Sequence, residues 1–467
     1  MLSKKNHRIS GTRKTGKLKS VAAGLTAGVL MLQCAVVVLP SQVYAEQADI
    51  SARNWYAGQN MQLPELKPSW TAKVDNYLNM SERFMASNAV AEDGKIYTFR
   101  DSKLIALDAK TGKVLWTYGS KLNPTIAYLD GVLYGLSGSH KPYALNAKTG
   151  KVKWQSSITT SSDTDPYTQA VVPTKNRLYV IYGSQTYALN IESGKLRWKA
   201  NEAAGEGNGT EYLVESGDVV LRSFMVQGAL TSIQLNAYDQ KTGKKLWDKF
   251  GQGEAIQIKN GLVYSVDYHS PALQDDESSP IRKWTINVYN LKTGVLKGSQ
   301  EYSWKLSGQA PYANGRGGIM AFEGKLYMEQ DGIIAEYALD QYKSGAAPLR
   351  TFLKPYGDNM EMLGVAQQRL IFRNPANGEL AGVKLANGQN VSWNGDAPVS
   401  QLDVYGKGMY RAQRNGTLIA MNMVTGQPVF RIKTGGDRYN QTLKTGDMII
   451  IQSEGKLTGV RLPASLK

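Results

Sequence analysis

The chain has 467 residues, a formal net charge of +16, 42% hydrophobic and 20% charged residues, 47 Gly and one Cys. It is too apolar and too aromatic for general disorder, and its glycines follow no three-residue period, which excludes collagen. The lone Cys34 excludes a disulfide framework, a cysteine-ligated zinc site and a covalently attached c-type haem.

Residues 1–45 read as a cleaved signal peptide. Lys4, Lys5, Arg8, Arg13, Lys14, Lys17 and Lys19 form a leader without acids, followed by an apolar run from Val21 to Leu39 and the small-residue stretch Val43, Tyr44, Ala45. That order fits secretion with cutting after Ala45, so no membrane span is expected in the mature chain. Removing the seven leader cations leaves 48 basic and 39 acidic residues, or +9. Such a charge permits attraction to anionic wall polymers or lipid headgroups. The cations are scattered, mostly as single Lys in turns, and no run of five exists beyond the leader. Solvated turn charge is expected, and nucleic-acid binding is not.

Residues 46–65 are expected to be an extended segment. Residues 66–467 carry a repeat, which decides the fold. Its phrase joins Ala106, Asp108, Thr111, Gly112 and Trp116, and returns as Ala144, Asn146, Thr149, Gly150 and Trp154. It recurs as Ala188, Asn190, Ser193, Gly194 and Trp198, then as Ala237, Asp239, Thr242, Gly243 and Trp247. Weaker copies lie around Gly294, Gly345, Gly388 and Gly426, so successive turn glycines stand 38 to 51 residues apart. That is the period of propeller blades. Each phrase follows a short apolar strand and a tight turn such as Asp93-Gly94 or Asn260-Gly261, a hairpin signature. Every unit thus reads as four short antiparallel strands.

The expected fold is therefore all-β: a single propeller of four-stranded antiparallel blades. Eight blades are expected, within a range of seven to nine, with one irregular unit among the degenerate copies between residues 290 and 390. The C-terminal residues supply only three strands, so the strand beginning at Trp70 should complete the last blade and close the ring. The recurring Trp residues are expected to pack between blades, where a small neighbour leaves room for a flat ring.

The phrase resembles the tryptophan-docking motif of the pyrroloquinoline-quinone (PQQ) repeat family, propellers similar to quinoprotein alcohol dehydrogenases. The resemblance covers about Trp70 to Leu462. It implies the fold, but the family includes both dehydrogenases and non-enzymatic members such as the propeller lipoprotein of the outer-membrane β-barrel assembly machinery. Its enzymes typically hold the quinone under adjacent bonded cysteines, with calcium and an Asp base. The mature chain has no Cys, and no Asp-x-Asp-x-Asp-Gly loop appears. The acidic cluster Asp275, Asp276 and Glu277 lies among Ser and Pro and reads as a solvated loop. Only His140 and His269 remain after processing, which excludes a histidine-rich metal centre.

If the Thr-Gly turns share one face, the long insertions at 199–210, 225–230, 268–283 and 305–318 emerge on the other. Function tends to lie on loops that lengthen on one side of a scaffold. Tyr268, His269, Asp275, Asp276, Tyr312 and Arg316 are accordingly the candidate binding face. The expected role is an exported, non-catalytic scaffold without cofactor, bound to an envelope protein or an anionic cell-wall polymer. The alternatives are a sugar or alcohol dehydrogenase using PQQ with calcium, and a glycan-binding propeller.

Overall fold

In the computed structural model, the described residues are 48, 50–55, 63–77, 84–85, 88–160, 168–202, 208–226, 232–268, 277–312, 316–340, 347–355, 360–374, 379–393 and 397–467. The expected leader and cleavage site lie outside them. Among the described residues no helix is long and apolar enough to cross a membrane.

Among the described residues the strands form nine sheets, each with four antiparallel strands at its heart. We call these strands A to D from the ring's centre outward. Blade 1 runs from Val90–Glu92 to Val114–Tyr118, blade 2 from Leu122–Leu129 to Val152–Gln155, and blade 3 from Thr168–Pro173 to Leu196–Asn201. Blade 4 runs from Asn208–Ser216 to Lys245–Phe250, blade 5 from Gln252–Lys259 to Leu296–Lys305, and blade 6 from Ile319–Phe322 to Arg350–Leu353. Blade 7 spans Glu361–Ala366 to Asn390–Trp393, and blade 8 spans Val399–Tyr405 to Gln427–Lys433.

Blade 9 is built from both ends of the propeller. Leu443–Thr445, Met448–Ser453 and Lys456–Arg461 provide strands A to C, and Trp70–Lys73 pairs with the last of these as strand D. Two short strands add to inner edges: Ile50–Trp55 pairs antiparallel with strand A of blade 8, and Phe84–Met85 pairs parallel with strand A of blade 3. Within the segment expected to be extended at 46–65, Ile50–Trp55 is thus a sheet strand.

The ring has nine blades where eight were expected, and the degenerate copies between 290 and 390 make complete blades. The reason is physical. A blade needs four strands in hydrogen-bond register, and blades 6 and 7 keep these although their repeat phrase has decayed. Strands B and C are covered on both faces by neighbouring blades and so read as continuous apolar runs. Leu104, Ile105, Ala106 and Leu107 of blade 1, for example, are all at most 3% exposed.

The repeat phrase explains itself at the C–D turn. The Asp108 carboxylate accepts the amides of Lys110 and Thr111 and the Thr111 hydroxyl, at 3.1, 2.8 and 2.8 Å. Asn146, Asn190, Asp239 and Asn290 hold their turns by the same side-chain oxygen. Such a turn ends on a residue with positive φ, and Gly112 has φ +69°.

Gly112 has a second duty. A Cβ there would lie 2.6 Å from the Trp70 ring, which stacks on the turn from the preceding blade. The Trp70 indole N–H donates to the Ala109 carbonyl at 2.8 Å. The same contact recurs as Trp116 to Ala147, Trp154 to Ile191, Trp198 to Gln240 and Trp247 to Leu291, at 2.9 to 3.1 Å. In its own blade each of these indoles faces a small cross-strand partner: Ala106 for Trp116, Ala144 for Trp154, Ala188 for Trp198, Ala237 for Trp247 and Gly459 for Trp70. Each ring is thus held between a small residue of its own blade and a turn glycine of the next.

Two outcomes test this account. Trp70 docks blade 9 on blade 1 and begins the strand that closes the ring at the seam inside blade 9, where the paired strands C and D are not consecutive in sequence. Trp70→Ala is expected to cost about 3–5 kcal/mol and to expose Leu443–Arg461 to proteolysis, whereas Trp154→Ala should melt early without opening that seam. The second concerns acid. The Thr242 hydroxyl and the amides of Thr242 and Lys241 hold the Asp239 carboxyl below its ordinary value of 3.8. A lowered folded value gives stability that is present above pH about 4 and lost as pH falls through that value. Asp239→Asn, the residue other blades use here, should keep the fold and flatten the fall in melting temperature below pH about 4.

Candidate functional site

The A–B and C–D turns share one face of the ring. The B–C turns and the links between blades form the other, and the described ends of the long insertions lie there. At blade 5 this face carries a B–C loop after Leu262–Asp267 and a link after Leu296–Lys305.

Arg282 fastens those two segments. It is 2% exposed, and its guanidinium donates to the carbonyls of Ser279, Ile281 and Tyr312 at 2.8, 3.1 and 3.0 Å. The Tyr312 amide donates to the Glu277 carbonyl at 2.8 Å, closing the clasp. Beside it, the Trp284 indole N–H donates to the Gly317 carbonyl at 3.2 Å. Arg316 lies 4.7 Å over the Trp284 ring and Tyr268 meets it edge-on at 5.9 Å. Cation and phenol thus share one buried indole, a contact worth about 0.5–1 kcal/mol or more for the cation. Partial burial and the Glu254 carboxylate raise the Tyr268 phenol, and the Arg316 charge opposes them.

The structure therefore brings Tyr268 and Arg316 together on Trp284, while Arg282, two residues earlier in the same strand, holds the Tyr312 carbonyl. His269, Asp275 and Asp276 lie outside the described residues. Trp284 and Arg282 escaped the sequence reading. Their signal was present: a buried strand that alternates Arg282, Trp284 and Ile286 places a cation where an apolar residue is due.

Two cavities open on the same face. One, of about 480 Å³, lies where blades 5, 6 and 7 meet; Trp304, Arg316, Glu329, Asp331, Lys354 and Met362 are among its lining residues. Glu329 accepts the Gly318 amide at 3.0 Å and faces Lys354 at 3.6 Å, both side chains nearly buried. Gly317 is required here, because a Cβ would lie 2.3 Å from that of Glu329. The other cavity, of about 600 Å³, joins the Arg414–Thr417 turn, the link at Gly435–Asp437 and Glu454. Both volumes fall in the range of small-molecule sites, about 300–1,000 Å³.

Residues 66–285 match a family model described as outer membrane protein assembly factor BamB. The quinoprotein ethanol dehydrogenase of Pseudomonas aeruginosa is 44% identical over 59 residues, which is 12% of this chain and only 9% of that protein's length. BamB from Moraxella catarrhalis is 13% identical, covering 86% of this chain and 100% of that one, with a TM-score of 0.41. Quinohemoprotein alcohol dehydrogenase from Comamonas testosteroni is also 13% identical, covering 88% and 82%, with a TM-score of 0.44. On the repeated docking phrase and the family match, residues 66–285 are similar to the PQQ-like β-propeller repeat family.

Proposed function

We propose that the chain is an exported, non-catalytic propeller scaffold that holds an envelope partner, foremost a protein, on its long-loop face. One observation carries this reading. Both cavities and the Tyr268–Trp284–Arg316 cluster are built from B–C turns, inter-blade links and the strand ends beside them. Tyr, Trp and Arg are the side chains that most often anchor protein interfaces. The leader of residues 1–45 and the description of the matching family, an outer-membrane assembly factor, support an extracytoplasmic setting.

The test is co-purification from the native envelope, comparing the unaltered chain with Tyr268→Ala/Arg316→Ala. A partner retained by the first should be recovered at least tenfold less with the second, given hot-spot effects of about 2 kcal/mol or more. Equal recovery would move the partner off this cluster.

A quinone-dependent dehydrogenase is the second reading, favoured by the 59-residue match to the Pseudomonas enzyme. The described residues do not fit its calcium-held quinone. Among them no three His, Cys, Asp or Glu side chains gather. Two buried carboxylates are turned to protein donors: Asp403 accepts Thr442 and Gln401 at 2.7 to 2.9 Å, and Glu336 accepts Lys325 and Arg350 at 2.9 and 2.8 Å. Incubation with PQQ and calcium is expected to leave no quinone absorbance after desalting and no dye reduction. Retention of both signals would favour the enzyme.

A further inference from the structure

The fold gathers charge that the sequence scatters. In blades 1 to 4 the residue after the turn glycine is Lys: Lys113, Lys151, Lys195 and Lys244, all exposed. None of the four enters an ion pair among the described residues. Exposed Lys153 and Arg197 follow in the outer strands of blades 2 and 3. Taken together, the C–D turns and outer strands at 108–118, 146–155, 190–201 and 239–250 hold twelve basic and four acidic residues, a net +8. Residues 46–467 as a whole carry +9, so nearly the entire excess sits on these four segments. Two of the four acids, Asp108 and Asp239, are engaged by their own turns. At the matching position blades 7 and 8 have Gln389 and Gln427, and their outer strands carry only Arg431 and Lys433.

From this placement we infer that the flank of blades 1 to 4 is a binding arc for a linear polyanion of the cell envelope. Blades 1 to 4 are consecutive in a ring of nine, so the charged flanks form one continuous curved wall. A flat bilayer can touch only part of a curved wall, whereas a flexible chain can follow it. Lysines also suit this ligand, because an ammonium is a point charge that holds phosphate without demanding a fixed bidentate geometry. Their attraction adds along the arc through release of the polymer's counterions. The inference rests on the exported setting proposed above, but lies on a surface separate from the long-loop face.

The test uses the purified chain and end-labelled poly(glycerol phosphate) in vitro, so its failure is distinct from failure to reach the envelope. Saturable binding is expected, weakening linearly on a log–log plot as salt rises. Lys113→Gln/Lys151→Gln/Lys195→Gln/Lys244→Gln should bind at least tenfold more weakly with a shallower salt slope. Lys67→Gln/Lys103→Gln/Lys121→Gln/Lys407→Gln, the same charge change at exposed positions off the arc, should stay within twofold. On the unaltered chain, bound polymer should shield the four arc lysines from acetylation and leave those off the arc reactive, a readout independent of any variant's folding. No salt-dependent binding, equal loss in both variants, or tighter binding to phosphatidylglycerol vesicles than to the polymer would overturn the inference.

Discussion

The structure depends on the contact between an indole of one blade and the turn glycine of the next. Within a blade the strands are joined by backbone hydrogen bonds, but adjoining blades meet chiefly through side chains. Without a large flat group bridging that gap, each sheet would expose two apolar faces. An aromatic ring buries about 150–250 Å², and here its N–H also satisfies a turn carbonyl that would otherwise lack a partner. The requirement for small residues on both sides follows directly, with alanine or glycine inside the blade and glycine across the seam.

Other groups replace or reinforce this contact at several seams. Phe352 of blade 6 lies against Gly388 of blade 7. Trp393 of blade 7 donates to the Met423 carbonyl at 3.2 Å, and the buried Arg411 of blade 8 donates back to the Trp393 carbonyl at 3.0 Å. Arg222 does similar work in blade 4, reaching into the B–C turn of blade 3 to the carbonyls of Gly183 and Gln185 and the Thr186 hydroxyl. Burial pulls both guanidinium groups down to about 10. That level still leaves them charged at neutral pH, so their donors stay fixed on backbone carbonyls.

This substitution explains what could be read from the chain and what could not. The Trp70 closure was legible because an indole with no preceding strands, and three final strands with no indole, are complementary deficits. The blade count was not, because counting relied on the docking phrase, and blades 6 and 7 keep their strands and register while the phrase decays. Tyr268 and Arg316 were legible only as members of long insertions. Their shared partner Trp284 was hidden within a strand, and the Arg282 clasp depends on carbonyl positions that no side-chain pattern encodes.

The lysines after the turn glycines show a different limit. Read linearly they are single charges some forty residues apart, each an ordinary solvated turn residue. A closed repeat converts sequence period into spatial adjacency, so whatever is repeated at one phase of the blade becomes a stripe around the ring. The same phrase therefore specifies two things at once: its Trp and Gly make the seam between blades, and its Lys marks the flank beside that seam. Decay of the phrase in later blades then removes charge and docking ring together, which is why the basic stripe ends where the regular indole ladder ends. An electrostatic surface that begins and stops with the packing motif is a property of the arrangement, and no single residue within it carries the signal.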